Sequence, residues 1–341
     1  MITHESSLED FSSQLDYVIS EYTNHELKAD QFQNIVLGGL GGSGIGGTIA
    51  KNWLNKTFPL PIETINNYNL PNYVNEHSLV VLNSYSGNTE ETLSLLEQAL
   101  SKKAQIVVMC SGGKIKDLAS KNKLKTYSIQ TGFQPRMTIG FGLTYLLLIL
   151  SELTGTNLRE KLTEISHQMR EKQEAQIESA LRVFNFFKSS LKNKFVVLAD
   201  PEMLAVATRF SQQMNENPKL ECFVHAVPEC NHNVIESYTD RLPTNFIMLY
   251  TNQHENIEAR FEFLTGHLEM DNNKVLPMFI PKLELFTIYD VIYRLDWVSV
   301  MIANELGAPL MEVPIIMELK NYLASIQELN SSEPDSEEEL S

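Results

Sequence analysis

Cysteine is scarce. The three in 341 residues, Cys110, Cys222 and Cys230, show no Cys-x-x-Cys pair and no zinc-ligand spacing, so neither a disulfide framework nor a structural zinc site is expected. Such sparse use suits a reducing compartment, and the expected location is cytoplasmic. Long apolar runs are also missing. The longest, around Leu143 to Leu150, falls well short of the ~20 residues that span a bilayer, and the acidic start MITHESSLEDFSSQLDY is no secretory signal. No membrane role is expected. Nor is there a surplus of cations: a formal net charge of −16 opposes general affinity for nucleic acid, whose binding rests on a basic surface. No His, Asp or Glu cluster has ligand spacing, so no metal and no cofactor are expected.

What is present is globular material. Hydrophobic residues make up 43% and aromatics 9% of the chain, enough to fill real cores, and the length favours two domains of ordinary size. QNIVLGG (33–39) reads as a strand that breaks into glycines and resumes as a helix through Ile49 and Trp53. SLVVLN (78–83), AQIVVMC (104–110) and Lys125 to Ile129 read as further strands, Glu90 to Lys102 as a helix between them, and Thr138 to Leu153 as a helix stopping at Gly155. After a charged helical stretch from Leu158 to Lys192 the rhythm restarts. KFVVLAD (194–200), CFVHAVPE (222–229), TNFIMLYT (244–251) and KVLPMFI (274–280) are strands, with helices over Met203 to Met214 and Ile257 to Leu268. Alternating strands and helices imply parallel sheets with right-handed crossovers. The expectation is an α/β fold of two domains, 1–155 and 156–330, each a mostly parallel sheet flanked by helices. Final helices over Leu283 to Leu306 and Val313 to Ile326 should pack back on the body. SSEPDSEEELS (331–341), with five carboxylates and no cation, should be a disordered acidic tail.

Two loops carry chemistry. The first, GGLGGSGIGG (38–47), sits where a strand ends and a helix begins. Glycines there let the backbone approach an anion, and free N–H groups at the helix start favour negative charge; Gly41, Gly42 and Ser43 are the candidate donors. Gly39-x-Gly41-x-x-Gly44 also matches the dinucleotide fingerprint, with Glu63 as a ribose-binding acid. The Walker pattern is absent, since no Gly-Lys-Ser/Thr follows. The second loop, SYSGNTEET (84–92), offers the hydroxyls of Ser84, Ser86 and Thr89 at another helix start. Capping by Asn88 or Thr89 is the plain alternative, but capping uses one hydroxyl, not three.

Together these loops resemble the two signatures of the SIS (sugar isomerase) domain. The tandem halves resemble, more narrowly, the bifunctional phosphoglucose/phosphomannose isomerase family, over the whole chain except the acidic tail. Later segments fit as well: GFQPR ending at Pro135 and Arg136, Asn215-Glu216-Asn217, ECNHN from Glu229 to Asn233, and a lysine near the C-terminus, Lys320.

The resemblance implies an aldose–ketose isomerase acting on a phosphosugar through a cis-enediol. It makes Glu216 the base at C2, although alone that residue reads as a solvated loop glutamate. His232 becomes a ring-opening residue, contributed across the interface of a homodimer. Lys320 assists ring opening, and Pro135 lines the substrate. Arg136, the one cation in its neighbourhood, suits a developing enediolate charge, since a guanidinium offers two parallel hydrogen bonds; otherwise it is a surface arginine paired with a carboxylate. The family's threonine two turns before the lysine, associated with the mannose epimer, is missing from PLMEVPIIMELK (309–320). Glucose 6-phosphate is therefore favoured over mannose 6-phosphate. Rival readings are an NAD(P)-dependent oxidoreductase using Gly39, Gly41, Gly44 and Glu63, a non-catalytic phosphosugar sensor, and an isomerase for another phosphosugar.

Overall fold

The computed structural model describes residues 2–238, 242–252, 254–270 and 272–332, with side chains of the last helix described to Ile326. Two short helices open the chain, α1 (His4–Glu9) and α2 (Phe11–Glu21). The first sheet follows: β1 (Asn34–Gly38), α3 (Gly41–Leu54), β2 (Ile62–Ile65), β3 (Ser78–Ser84), α4 (Glu90–Ser101), β4 (Gln105–Cys110), α5 (Gly113–Lys121) and β5 (Lys125–Ser128). Three helices, α6 (Ile139–Leu153), α7 (Arg159–Glu171) and α8 (Gln173–Phe187), lead to the second. It comprises β6 (Lys194–Ala199), α9 (Leu204–Glu216), β7 (Cys222–Ala226), β8 (Thr244–Thr251), α10 (Glu255–Glu269) and β9 (Lys274–Ile280). Helices α11 (Leu285–Leu306) and α12 (Pro314–Ser332) close the chain.

Both sheets are parallel throughout, in the orders β2-β1-β3-β4-β5 and β7-β6-β8-β9. The strands read as continuous apolar runs because both faces are covered. Alternate residues serve different cores: Ile35, Leu37, Leu79 and Val81 join Phe195, Val197 and Ala199 in one cluster between the two sheets, whereas Val36, Val80 and Leu82 face an outer layer. Val196 and Leu198 face the outer layer of the second sheet. Helix α6 lies in the shared layer and is apolar on all sides, the pattern of a helix with no solvent face.

The expected α/β architecture of two sheet domains is what the chain adopts. Four elements escaped the sequence: helices α1 and α2 in the polar opening, the four-residue edge strand β2, and α5, which buries only Ile115 and Ala119. The charged stretch expected as one helical run divides at Lys172 into α7 and α8. Helix α11 packs inside as expected, but α12 does not pack back: its described side chains are exposed or half-buried, Ile315 78% exposed among them. Its helix continues through Ser331 and Ser332, where the tail was expected to begin; 333–341 lie outside the described residues. The three cysteines are buried and unpaired.

In each sheet the chain steps outward from its first strand and then returns to that strand's other side. This leaves a crevice above the carboxyl ends of β1 and β3, and another above β6 and β8, the places where such sheets bind ligands. In the second crevice Asp200, buried, fills the space itself. Its Oδ1 accepts from Met203 N at 2.9 Å, and its Oδ2 accepts from Thr251 N at 2.8 Å and Thr251 Oγ1 at 2.6 Å.

The shared layer also hides an ion pair. Arg209 Nη2 on α9 lies 2.5 Å from Asp296 Oδ2 on α11, and both side chains are 2% exposed. Asp296→Asn keeps the shape but strands a buried guanidinium, and should lower stability by about 3 kcal/mol or more, read as a lower guanidinium chloride midpoint. A midpoint unchanged from wild type would show that Arg209 is balanced by something else.

Candidate functional site

The first crevice is built from both loops. Helix α3 begins after Leu40 with no side-chain cap; Ser43 N and Gly44 N turn back to Leu40 O, both at 3.0 Å, which leaves the N–H groups of Gly41 and Gly42 for an anion. Glycine is required here for close approach: a Cβ on Gly44 would lie 2.3 Å from Gly39 O, and one on Gly42 would lie 2.6 Å from Pro135 O and 2.9 Å from Arg136 Cα. The first turn of α3 therefore rests directly on the Pro135–Arg136 backbone. Ser43 locks the two loops together: its carbonyl accepts from Asn83 Nδ2 at 2.8 Å and its Oγ accepts from Tyr85 N at 3.1 Å.

In the second loop Thr89 holds the N-cap position of α4 but makes no capping bond. Ser84 Oγ donates to Thr89 Oγ1 at 3.1 Å, Ser86 Oγ is exposed and accepts from Asn88 N at 3.3 Å, and Asn88 Oδ1 accepts from Lys114 N at 3.0 Å. Capping is thus not what these hydroxyls do. Two uncapped helix starts, with three hydroxyls between them, face the same crevice. Tyr85 extends the cluster, its hydroxyl accepting from Phe133 N at 2.8 Å.

Pro135 starts a short 3-10 turn, Pro135–Met137, where a missing N–H costs nothing. The turn drives Arg136 into the protein, 3% exposed. Its Nε donates to Asn217 Oδ1 at 2.9 Å, Nη1 to Glu216 Oε2 at 3.3 Å and Nη2 to Leu310 O at 2.6 Å. Arg209 Nη2 holds the Arg136 carbonyl at 3.0 Å, and Asn217 Nδ2 donates to Ser299 Oγ at 2.9 Å. Burial pushes the Arg136 guanidinium below its usual pKa, opposed by Glu216; a guanidinium still keeps its charge. Glu216 is the last residue of α9, its carboxylate only partly covered. Lys219 donates to the Glu216 carbonyl and to Glu312 O, fixing the end of that helix. A cleft of about 680 Å³ lined by Ile2, Gly132, Phe133, Gln134 and Met311 opens beside the turn.

Glu216, Arg136, Pro135, Gly42, Ser43, Ser84 and Thr89 are thus joined in one constellation, with Gly41 and Ser86 in the same loops. His232 and Lys320 are not brought to it within one chain: His232 is exposed at the end of the turn Glu229–His232, and Lys320 is exposed on α12. Glu63 lies within β2, short of its carboxyl end, and accepts from the Tyr73 hydroxyl. Among the described residues no group of three His, Cys, Asp or Glu is arranged to hold a metal, and no helix is long and apolar enough to cross a membrane. Asn217, Arg209, Lys219 and the Leu310 carbonyl went unassigned from sequence, although the motif Asn215-Glu216-Asn217 had pointed at the first.

These elements match known proteins. The SIS domain family matches residues 30–144, and the bacterial phospho-glucose isomerase C-terminal SIS domain matches residues 185–323. A bifunctional phosphoglucose/phosphomannose isomerase from Aquifex aeolicus is 30% identical over 86% of this chain and 91% of its own length. The chain belongs to the bifunctional phosphoglucose/phosphomannose isomerase family. Another member, from Caldicellulosiruptor bescii, is 29% identical over 92% of this chain and 96% of its own length. A D-glucosamine-6-phosphate 4-epimerase from Sulfolobus acidocaldarius is 32% identical over 69% and 74%. In fold, the chain resembles the C-terminal domain of glucosamine-fructose-6-phosphate aminotransferase from Francisella tularensis, with a TM-score of 0.71 and 13% identity over 91% of this chain and 98% of that one.

His4, which belongs to no predicted motif, sits on α1, which packs against the turn carrying Arg136, within range of the charges of Arg136 and Arg209. It is 1% exposed, and neither ring nitrogen has a hydrogen-bond partner. Burial, then the charges of Arg136 and Arg209, lower its pKa from 6.5 to about 3, against a smaller opposing effect of the Asn217 side chain. The unfolded chain therefore takes up a proton below pH 6.5 that the folded chain refuses until about pH 3, so this residue's contribution is intact above pH 6.5 and declines as pH falls. Between pH 7 and pH 4.5 wild type should lose about 3 kcal/mol more stability than His4→Phe. Parallel curves of unfolding free energy against pH for the two proteins would refute this.

Proposed function

We propose that the chain interconverts glucose 6-phosphate and fructose 6-phosphate through a cis-enediol, accepting mannose 6-phosphate less well. The observation that carries this reading is the Glu216 carboxylate 3.3 Å from the Arg136 guanidinium, beside a crevice whose two helix starts are left uncapped. A dianionic phosphate suits the amides and hydroxyls of Gly41, Gly42, Ser43, Ser84, Ser86 and Thr89, since N–H groups and dipoles there favour negative charge. The other end of the sugar then reaches toward Glu216.

Glu216 takes the proton from C2 of the open-chain aldose, and the electron pair forms the C1–C2 double bond as the carbonyl oxygen at C1 gains negative charge. Arg136, held by Asn217 and the Leu310 carbonyl, is placed where that charge develops. Return of that proton to C1, with the C2 hydroxyl proton passing to the oxygen at C1, gives the ketose. Hydrogen moves within one molecule, so the reaction balances without an external acceptor. Ring opening falls to His232 and Lys320. Both are exposed in the single chain, which supports a homodimer in which His232 of one protomer serves the site of its partner; the sparse, unpaired cysteines suit the cytoplasm. The lack of a threonine in 309–320 is the ground for the weaker mannose activity.

The deciding experiment is a coupled assay with fructose 6-phosphate that scores glucose and mannose 6-phosphate separately, with glucosamine 6-phosphate as a further substrate. Glu216→Gln should lower kcat by ~10³-fold or more while phosphosugar binding persists, because it removes the base and keeps the shape. Wild-type turnover in that variant would move the role to another residue. Ser84→Ala combined with Ser86→Ala should raise KM at least tenfold, two lost hydrogen bonds to a charged group being worth about 3 kcal/mol. An unchanged KM would put the phosphate elsewhere.

A further inference from the structure

We propose that His4 is a positioning residue, whose imidazole closes the rear of the Arg136 pocket and holds the guanidinium forward against Glu216 and Asn217. This rests on the reading of Arg136 as the group that stabilises the enediolate. The residue lies ahead of the SIS match, which begins at residue 30, so nothing in that domain's pattern assigns it a role.

The opening helices are tied to the turn that carries Arg136. Thr3 and Ser6 cap the start of α1 reciprocally, Ser6 N donating to Thr3 Oγ1 at 3.1 Å and Thr3 N to Ser6 Oγ at 3.0 Å. Glu5 Oε1 accepts from Asn304 Nδ2 at 2.6 Å, which pins α1 to α11. Helix α1 packs on the Pro135–Met137 turn, and from α2 Gln14 Nε2 donates to Met137 O at 2.9 Å. A Cβ on Gly140 would lie 2.7 Å from Gln14 Oε1, so the fit leaves no slack. His4 is thereby fixed as firmly as the turn it backs.

The chemistry of its surroundings decides what it does. The charged groups facing it are Arg136 on the turn and Arg209 on α9, and Arg209 is already engaged by Asp296 on α11. A cation at position 4 would repel both guanidinia, and a carboxylate would draw Arg136 backward, away from Glu216. A neutral ring does neither. Two buried ring nitrogens without hydrogen-bond partners are a cost to the fold, so hydrogen bonding does not account for a histidine at this place. Its flat, uncharged face excludes water from behind Arg136 and leaves Glu216, Asn217 and the Leu310 carbonyl as the partners of that side chain.

The test compares full-length wild type, His4→Ala and His4→Phe, the last restoring volume without polarity. Because Arg136 acts on charge that develops only in the transition state, His4→Ala should lower kcat for fructose 6-phosphate at least tenfold with KM within twofold, and His4→Phe should recover most of the loss. The Arg136 Nε–H resonance, assigned with Arg136→Lys, should be slow to exchange with solvent in wild type and His4→Phe and lose that protection in His4→Ala. A kcat within twofold of wild type for His4→Ala with the resonance still protected would overturn the proposal, as would a loss that His4→Phe shares. Should His4→Ala fail to fold, the proposal stands if His4→Phe keeps wild-type kcat and protection, and falls if it does not. A wild type without isomerase turnover would remove the functional reading alone, since the resonance still reports whether His4 holds Arg136.

Discussion

A guanidinium taken out of water costs several kcal/mol unless each donor is met, and at Arg136 three separate parts of the chain, α9 at two places, α11 and the segment before α12, converge to meet that demand. The end of α9 supplies Glu216 and Asn217, the segment before α12 supplies the Leu310 carbonyl, α11 supports Asn217 through Ser299, and Arg209 holds the backbone behind it. None of these belongs to the sheet that carries the crevice. The second domain is thus needed to hold an arginine of the first in place, and the continuous core between the two sheets is what makes that placement rigid.

The electrostatic layout follows from the same arrangement. Two uncapped helix starts present partial positive charge on one side of the crevice, a fixed guanidinium stands on the other, and the partly exposed Glu216 carboxylate faces the space between. In the reading proposed above, a substrate with a phosphate at one end and a carbonyl at the other would meet donors at both ends and an acceptor at C2. Catalysis in such a site comes from donors already in position before charge develops, which is why the packing behind Arg136 matters alongside the Glu216 carboxylate.

Much of this was legible in the sequence, for identifiable reasons. Runs such as IVLGG and VVLNS announce buried parallel strands, and the glycine and hydroxyl loops after β1 and β3 announce an anion site, because both signals are local. Edge strand β2 was not legible, since IETI is four residues long with two polar residues at its centre, too short to show a period. Helix α12 was read as packing back because its apolar residues recur at helical spacing, and spacing alone does not say what covers them. Arg209 looks like any helix charge in ATRFSQQMNE; only the tertiary fold shows that it points inward to Asp296. Glu216 against Arg136 is a contact across 80 positions that resemblance suggested and no periodicity reveals. His4 offered nothing at all, being one polar residue in a polar opening.

The carboxylate of Asp200 gives the pair of sheets an asymmetry. The two halves repeat one architecture, yet in the latter the amides and hydroxyl at the gap between β6 and β8 are already satisfied by an oxygen pair the chain carries within itself. An incoming dianion would meet a fixed negative group there instead of open donors. The two halves have thus diverged: one gap keeps its helix start open, and the other is closed by a carboxylate of its own chain.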